Sequence, residues 1–319
     1  MTTYSGANLD EGETRGNRGK PKCRYRIFGA CQAISLESDW RMLTAGIWES
    51  LVISLVAALA AYSRKFLTFA AAVAAAILGA IILALGGWDW ALTTAGLFLA
   101  TALLAQREER VVTGESGSTK GPRTLKQVAA NGILLAVFAV LYRTGQGNSA
   151  FIAAFLGCAG AVAGDTWATA ATQFTTSSPR LLTSGQRVPP GTPGAVTGVG
   201  IALTALAGFF ASLVFLSGAT FLDGGSVSAA ICIVLSLAAI VGAVAGALFD
   251  SYLGAACQAL YADANGRMTD EAVADNGTIN SYVRGWRWLN NDLVNFSNSV
   301  AGALSAFLVW AAAGWLNLI

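Results

Sequence analysis

The chain alternates long apolar runs with shorter polar stretches, and the lengths of the runs predict membrane-spanning helices. Seven runs have about the length that a helix needs to cross a bilayer. They cover residues 66–86, 88–105, 128–143, 148–164, 196–217, 227–249 and 300–318. An earlier run, 47–62, is shorter and carries Glu49, so either a crossing or an interfacial position fits it. We therefore predict an all-α fold, a polytopic transmembrane helix bundle with about seven or eight spans.

The same pattern divides the chain into two regions. Residues 1–46 are polar and rich in glycine and basic side chains, which predicts a disordered cytosolic tail. This tail has no apolar core of the kind found in cleaved signal peptides. Residues 47–319 form the predicted transmembrane helical domain.

Composition supports a membrane protein and excludes several other classes. Hydrophobic residues make up 55% of the chain and charged residues 12%, and the mean hydropathy is +0.57. The net charge is only +2, and no basic stripe with interleaved aromatic residues is present, so we expect no nucleic-acid partner. The chain contains no histidine, and its five cysteines form no Cys-x-x-Cys pair. A histidine base, a zinc site and a disulfide framework are therefore not expected.

The distribution of positive charge predicts that the long polar loops lie on one side of the membrane. If the run 47–62 does not cross, every Lys and Arg except Arg143 falls on one side. If this run does cross, only the tail changes sides. In both cases the loops 106–127, 165–195 and 250–299 stay together, and the charge rule places them in the cytosol.

A repeated motif places two acidic residues near the ends of apolar, glycine-rich runs. Gly-Ala-Val-Ala-Gly occurs at 160–164, directly before Asp165, and again at 242–246, shortly before Asp250. Glycines at this spacing allow close helix packing, so each carboxylate lies in the bundle or at the membrane rim. A carboxylate there is costly without a cation or water. Both acids can simply end their helices in interfacial water, but their matching contexts favour a functional pair.

Polar residues in the three loops are candidates for binding a phosphorylated substrate. Arginines near the glycine- and proline-rich segment 188–194 would neutralise charge while backbone N–H groups contact phosphate, although such segments also form ordinary turns. Basic and amide side chains near the starts of two spans either follow the charge rule and cap helices, or face the bundle. The binding candidates are Lys126, Asn131, Arg180, Arg187, Gly191, Thr192, Gly194, Asn291 and Asn295.

Three acids are the candidate metal ligands. Asp165, Asp250 and Asp292, if gathered, would offer oxygen ligands of the kind that Mg²⁺ takes, with substrate phosphates completing its coordination shell. The predicted catalytic and metal-binding set is therefore these three residues, with Mg²⁺ as the cofactor.

Several ordered blocks resemble one polytopic membrane family, that of animal transmembrane protein 19 and plant phytyl-phosphate kinase. The resemblance covers roughly residues 50–319. The blocks are Lys126-Gln127-Val128-Ala129-Ala130-Asn131-Gly132, Asp165-Thr166-Trp167, Ser178-Pro179-Arg180-Leu181-Leu182-Thr183, Val188-Pro189-Pro190-Gly191-Thr192, Asp250-Ser251-Tyr252-Leu253-Gly254-Ala255 and Asn290-Asn291-Asp292-Leu293-Val294-Asn295. The Ser-Pro-Arg and Asp-Ser-Tyr-Leu-Gly-Ala details are nearer to the transmembrane protein 19 branch. The family is in turn similar to membrane enzymes that use CTP, among them CDP-diacylglycerol and CDP-archaeol synthases.

The resemblance implies a reaction and a location. A kinase of this family transfers the terminal phosphoryl group of a nucleoside triphosphate, thought to be CTP, to a prenyl phosphate such as phytyl phosphate. Positioning and charge neutralisation by Mg²⁺, Arg and Lys meet the main demands of this transfer without histidine. The partners are then a lipid phosphate, the nucleotide and the bilayer. We expect the endoplasmic reticulum or another endomembrane rather than the plastid envelope.

Four positions depart from the pattern of this family. Ala170 stands where a Glu is common, Gln186 where a Lys is frequent, and Pro193 and Ala195 replace an Asn or acidic residue and a Gly. The alternatives to the kinase are a non-catalytic membrane carrier or binding protein that kept the scaffold, and a CDP-lipid-forming cytidylyltransferase. An ion or proton transporter is less favoured, because the acids cluster at one rim rather than at midplane depth.

Overall fold

A computed structural model gives the fold, and it describes residues 26–27, 30–31, 36–112, 121–171, 178–190, 192–222, 227–266, 268–274 and 277–319. Eight α-helices lie within these ranges. They are α1 Leu36–Ser63, α2 Phe69–Gly86, α3 Trp88–Val112, α4 Leu125–Thr144, α5 Ser149–Ala171, α6 Gly198–Phe221, α7 Ala229–Ala256 and α8 Asn291–Trp315.

Two short strands precede α1, and the others lie in the connections between helices. They are β1 Arg26–Ile27, β2 Ala30–Cys31, β3 Arg180–Leu181, β4 Ala195–Val196, β5 Leu260–Ala262, β6 Met268–Thr269 and β7 Ser281–Arg284. β1 pairs with β2 and β3 with β4, while β5 lies between β6 and β7; all of these pairs are antiparallel. The last sheet folds within the connection between α7 and α8, which hydropathy alone gives no reason to expect.

Polar caps fix where many of the helices begin. In each case the side chain of the residue before the helix accepts a hydrogen bond from a backbone N–H of the first turn. The N-cap residues are Thr68, Thr124, Thr197, Ser228 and Asn290. At α4 the cap is reciprocal, because the Gln127 side chain also accepts from the Thr124 backbone N–H.

The predicted all-α transmembrane bundle is confirmed. Among the described residues, seven helices are long and apolar enough to cross a membrane. The run 47–62, left open above, is one of them, as Gly46–Ser63 within α1. The apolar part of α3, Trp88–Leu104, is shorter. Helix α1 begins at Leu36, inside the segment assigned to the polar tail; residues 1–25 lie outside the described residues, and their predicted disorder stays a prediction.

Helix α5 is the centre of the bundle. It packs against α3, α4, α6, α7 and α8, whereas α1 packs on α2 at the periphery. Of the α5 span, 72% is buried inside the protein, against 39% or less for every other candidate span in the described chain. An aromatic cluster fills its early turns, where Phe155 contacts Trp90 at 4.2 Å between ring centroids and Phe215 at 6.4 Å. The helix that carries Asp165 therefore has almost no lipid-facing surface.

Glycines bring α5, α7 and α8 into close contact. A Cβ atom added to Gly242 would lie 2.6 Å from the Gly302 carbonyl oxygen and 2.7 Å from the Gly157 Cα. Larger side chains at this crossing would push the helices apart. The repeated Gly-Ala-Val-Ala-Gly motif serves two different contacts, because Gly160 faces Gly208 of α6 while Gly242 faces α5 and α8. The repeat thus reflects the same packing chemistry rather than equivalent positions.

The four connections α1–α2, α3–α4, α5–α6 and α7–α8 meet at one end of the bundle, hereafter the polar end. Arg123 donates its backbone N–H to the Phe66 carbonyl and accepts from the Thr68 N–H, each at 3.0 Å, so the first two connections are joined. Gly194 packs on the end of α7 at Ala255. The convergence expected from the charge pattern is therefore present in the fold.

Candidate functional site

Asp165 and Asp250 approach each other at the polar end, near the ends of α5 and α7. Each is half-buried, and their carboxylates lie close enough to repel one another electrostatically. Helical side chains lean toward the start of their own helix. Both carboxylates therefore lean back into the bundle rather than out to solvent. The pair predicted from the repeated motif is formed.

Arg123 is the cation next to this pair. Its Nη2 lies 3.5 Å from Thr166 Oγ1, at the long limit of a hydrogen bond, and its guanidinium is attracted to Asp165. Burial lowers the pKa of Arg123 from its ordinary value, and the Asp165 carboxylate opposes that shift. An arginine nevertheless stays protonated at neutral pH. The backbone hydrogen bonds to Phe66 and Thr68 hold this charge beside Asp165.

Asn298 of α8 completes the site from the opposite direction. It is only 1% exposed, and its Nδ2 donates to the Ala161 carbonyl at 3.3 Å. Its Oδ1 is buried and accepts no hydrogen bond from any described residue, and the same holds for Asp250 Oδ2. Gly246 makes room for this amide, because a Cβ there would lie 2.5 Å from Asn298 Oδ1.

The residues of this site lie within the part of the chain that matches a known protein family. A model of the integral membrane protein family DUF92 matches residues 52–303, which include all the residues from Arg123 to Asn298. The chain belongs to the DUF92 family. No solved structure matches it. The family description agrees with the multi-pass membrane architecture and with contact to the lipid bilayer.

In this DUF92 chain the third predicted acid does not join the pair. Among the described residues, no group of three or more His, Cys, Asp or Glu side chains is placed to hold a metal ion. Asp292 lies in the first turn of α8, beside the Asn290 cap. Asn291, Asn295 and Asn298 share an i, i+4, i+7 face of that helix, and Asp292 is rotated from it by about 100°. The rotation of α8 therefore brings an amide, not a third carboxylate, to the acids.

The other α8 candidates line the same face nearer the polar end. Asn291 accepts a hydrogen bond at 3.4 Å from Gln258 Nε2, which ties α8 to the connection that precedes it. Asn295 is half-buried, and its carbonyl accepts from Ser299 Oγ at 3.1 Å. This DUF92 helix thus carries a row of amides that ends at Asn298.

The candidates near α4 differ in their surroundings. Lys126 is exposed in the first turn of α4, and Asn131 is half-buried further along the helix. Arg123, just before the Thr124 cap, is the basic residue of this segment that the structure brings to Asp165. The sequence presented it only as one of several loop cations.

Several polar groups of the loop between α5 and α6 form hydrogen bonds to other groups of the same loop. Arg180 is exposed and donates to the Gly185 carbonyl at 2.9 Å, and Thr192 Oγ1 donates to the Pro189 carbonyl at 2.7 Å. Arg187, also exposed, pairs by backbone with Arg180. Gly191 lies outside the described residues. The phosphate-cradling role of this loop stays a prediction.

Gly194 has a clear structural role in this DUF92 protein. Its φ is +80°, a conformation that other residues rarely adopt. A Cβ there would lie 2.5 Å from the Ser251 carbonyl oxygen and would also collide with the Ala255 backbone. The glycine therefore lets the loop close onto the helix that carries Asp250.

Proposed function

We propose that this protein is a membrane-embedded phosphotransferase that moves the terminal phosphoryl group of a nucleoside triphosphate, CTP by the family resemblance, to a prenyl phosphate. One observation carries the proposal. At the polar end of the bundle, half-buried Arg123 lies beside the Asp165 carboxylate, which in turn lies beside Asp250. Asp250 Oδ2 is buried and has no hydrogen-bond partner among the described residues. An anion-binding group next to oxygen atoms that favour a cation is what phosphoryl transfer needs.

The location of the site suits both a water-soluble nucleotide and a lipid-soluble prenyl phosphate. Arg123, Asp165 and Asp250 lie where the long polar connections meet, so a charged nucleotide can approach from water. The helices that carry them continue into the membrane, where a prenyl tail is soluble. A site for a water-soluble acceptor would not need to lie on membrane-spanning helices.

The proposed reaction balances without an added oxidant or base. A phosphate oxygen of the prenyl phosphate forms a bond to the γ-phosphorus. The bond from that phosphorus to the β–γ bridging oxygen breaks, and CDP leaves with the electron pair. Prenyl diphosphate is the second product. Arg123 would bind equatorial phosphate oxygens through its planar fork of N–H donors, and Thr166 would help to orient that fork.

Mg²⁺ fits the donor atoms at this site. Asp165 and Asp250 would hold it through carboxylate oxygens, and Asp250 Oδ2, which has no hydrogen-bond partner in the described part of the chain, agrees with such a role. When bound, the ion would supply charge neutralisation on the phosphates. The role of this chain's own residues is then to orient the two phosphates and to keep the site apart from bulk water.

The test is a transfer assay on purified full-length protein in lipid nanodiscs. It uses CTP or ATP labelled at the γ-phosphate, with farnesyl, geranylgeranyl and phytyl phosphate as acceptors. We expect label in a prenyl diphosphate. Arg123→Gln should lower kcat/KM about 100-fold or more, since removing one charged group that stabilises the transition state costs roughly 3 kcal/mol. Arg64→Gln, an exposed arginine at the same end, is the matched control and should keep the activity.

Labelling at the α-phosphate separates the alternatives. Label in a CDP-lipid would instead identify a cytidylyltransferase. Saturable binding of prenyl phosphate, with no transfer from either label, would identify a non-catalytic carrier. Equal activity of Arg123→Gln and Arg64→Gln would contradict the role of Arg123.

A further inference from the structure

Two buried oxygen atoms on neighbouring helices lack hydrogen-bond partners among the described residues. They are Asp250 Oδ2 on α7 and Asn298 Oδ1 on α8. Buried polar atoms in proteins nearly always have a partner, so an orphaned pair in one place needs a physical reason. Both atoms are acceptors, and neither can satisfy the other while Asp250 is ionised.

The fold directs these atoms toward a common region. Asp250 leans from its place near the end of α7 back toward Gly246, whose missing side chain leaves the space that Asn298 Oδ1 enters. Helix α8 starts at the polar end, so Asn298 leans in the opposite sense, toward the acids. The Ala161 carbonyl accepts the hydrogen bond from Asn298 Nδ2, and Ala161 precedes Asp165 by one helical turn.

No donor in the described part of the chain is hydrogen-bonded to either oxygen atom. Asn298 Nδ2 donates to Ala161, and Arg123 is directed to Thr166 and Asp165. Thr204 donates to the carbonyls of Gly164 and Gly200, at 3.2 Å and 3.0 Å. A species that attracts oxygen lone pairs, and not a further acceptor, therefore fits between Asp250 and Asn298.

We propose that Asp250 Oδ2 and Asn298 Oδ1, with Asp165 beside them, form a binding site for a divalent cation that fills before any nucleotide binds. The donor atoms are oxygens, which favour a hard cation such as Mg²⁺ or Mn²⁺. Two carboxylates neutralise a charge of +2, and the amide adds a ligand without adding charge. This ligand set deepens the proposed function by naming where its cation lies, with Asn298 in place of Asp292 as the third ligand.

The experiment measures Mn²⁺ binding to the purified full chain in nanodiscs, after chelation and without nucleotide. Loss of the free Mn²⁺ signal in electron paramagnetic resonance gives the affinity, and Mg²⁺ should compete. We expect one saturable site. Asn298→Leu and Asp250→Asn should each weaken binding at least about tenfold, since even the loss of an outer-shell partner costs 10- to 100-fold in metal affinity.

A glycine pair provides a matched test of the space. Gly246→Ala puts a methyl group against Asn298 Oδ1 and should also weaken Mn²⁺ binding. Gly314→Ala adds the same group on α8 where nothing lies within 4 Å, and binding should persist. If Asn298→Leu does not yield monodisperse protein, Asp250→Asn, which is nearly isosteric, still decides the question.

Three results would overturn the site. They are the absence of saturable Mn²⁺ binding to wild type, unchanged affinity in Asp250→Asn, and loss of binding in Asp292→Asn with retention in Asn298→Leu. The result is independent of transfer activity. Mn²⁺ binding that depends on Asn298 in a protein without transfer activity would retain the site and reject the phosphotransferase. Phosphoryl transfer by a protein that binds no Mn²⁺ in the absence of nucleotide would retain the phosphotransferase and reject the cation site.

Discussion

Arg284 donates to the Ala255 carbonyl at 2.7 Å, so a cation from β7 lies on the carbonyl end of α7. Its second nitrogen, Nη2, reaches the Gly254 carbonyl at 3.4 Å. Carbonyl groups at the end of a helix have no partner within the helix, and a cation there is favourable. The sheet in the α7–α8 connection thus folds back to cap the helix that carries Asp250.

Arg284→Gln should lower the free energy of unfolding by about 1–2 kcal/mol, because it removes a charged hydrogen bond to the last turn of α7. Thermal unfolding of the protein in nanodiscs measures the change. Arg287→Gln is the control; Arg287 is exposed and lies 4.6 Å from the centre of the Tyr282 ring, a contact worth up to about 1 kcal/mol. Equal losses in the two variants would argue against a capping role.

Gly194→Ala and Gly185→Ala form a matched pair within one loop. Both glycines have positive φ, +80° and +68°, so each substitution carries a backbone strain of about 1–2 kcal/mol. A Cβ on Gly185 meets nothing within 4 Å, whereas on Gly194 it collides with the end of α7. Gly194→Ala should therefore destabilise by about 1–3 kcal/mol more. Similar melting temperatures would show that the loop does not pack on Ser251 and Ala255.

Ala170→Glu tests whether the family's common acid can be restored. Ala170 is 3% exposed and lies five residues beyond Asp165, on another face of α5. A carboxylate there would be buried away from the Asp pair, so we expect a loss of about 3 kcal/mol or more of stability and no gain in transfer. Thr169→Glu, at an exposed position of the same turn, should be tolerated better. Higher activity in a well-folded Ala170→Glu would contradict this expectation.

Cysteine labelling tests the polar end directly. In a variant without the five native cysteines, single cysteines replace Arg64, Arg180 or Arg287 at the polar end, and Asn148 or Thr220 at the other. An impermeant maleimide, applied to sealed vesicles of each orientation, should label the first three from one side and the last two from the other. Labelling of Arg64→Cys and Arg287→Cys from opposite sides would separate the loops that build the site.

Hydropathy predicted the helices well but made several of them too short. The predicted run 148–164 stops before Asp165, yet α5 continues to Ala171, and α7 likewise passes Asp250. The last span was predicted from 300, but α8 begins at Asn291. Hydropathy detects only the apolar part of each helix. A helix inside a bundle can extend through polar residues, because other helices rather than lipid surround them.

The sequence predicted two of the three proposed ligands of the candidate site. The repeated motif identified Asp165 and Asp250, since acids that follow glycine-rich runs are unusual. The choice between Asp292 and Asn298 depends on the rotation of α8, which Gly157, Gly242 and Gly302 set by contact. The sequence pattern of a single helix does not determine how that helix is rotated against its neighbours. The i, i+4, i+7 spacing of Asn291, Asn295 and Asn298 is nevertheless present in the sequence, and it is the signal that points to Asn298.

The central position of α5 has a consequence for how the protein is made. Helix α5 leaves the ribosome well before α6, α7 and α8, and its mean hydropathy of 1.4 is well below the 2.6 of α7. Until the later helices arrive, Gly157 and Ala161 have lipid or the insertion machinery beside them in place of α7 and α8. Chains that stop before α8 would present this surface unpaired and become targets for membrane quality control. Synthesis of nearly the whole protein must therefore precede assembly of its site.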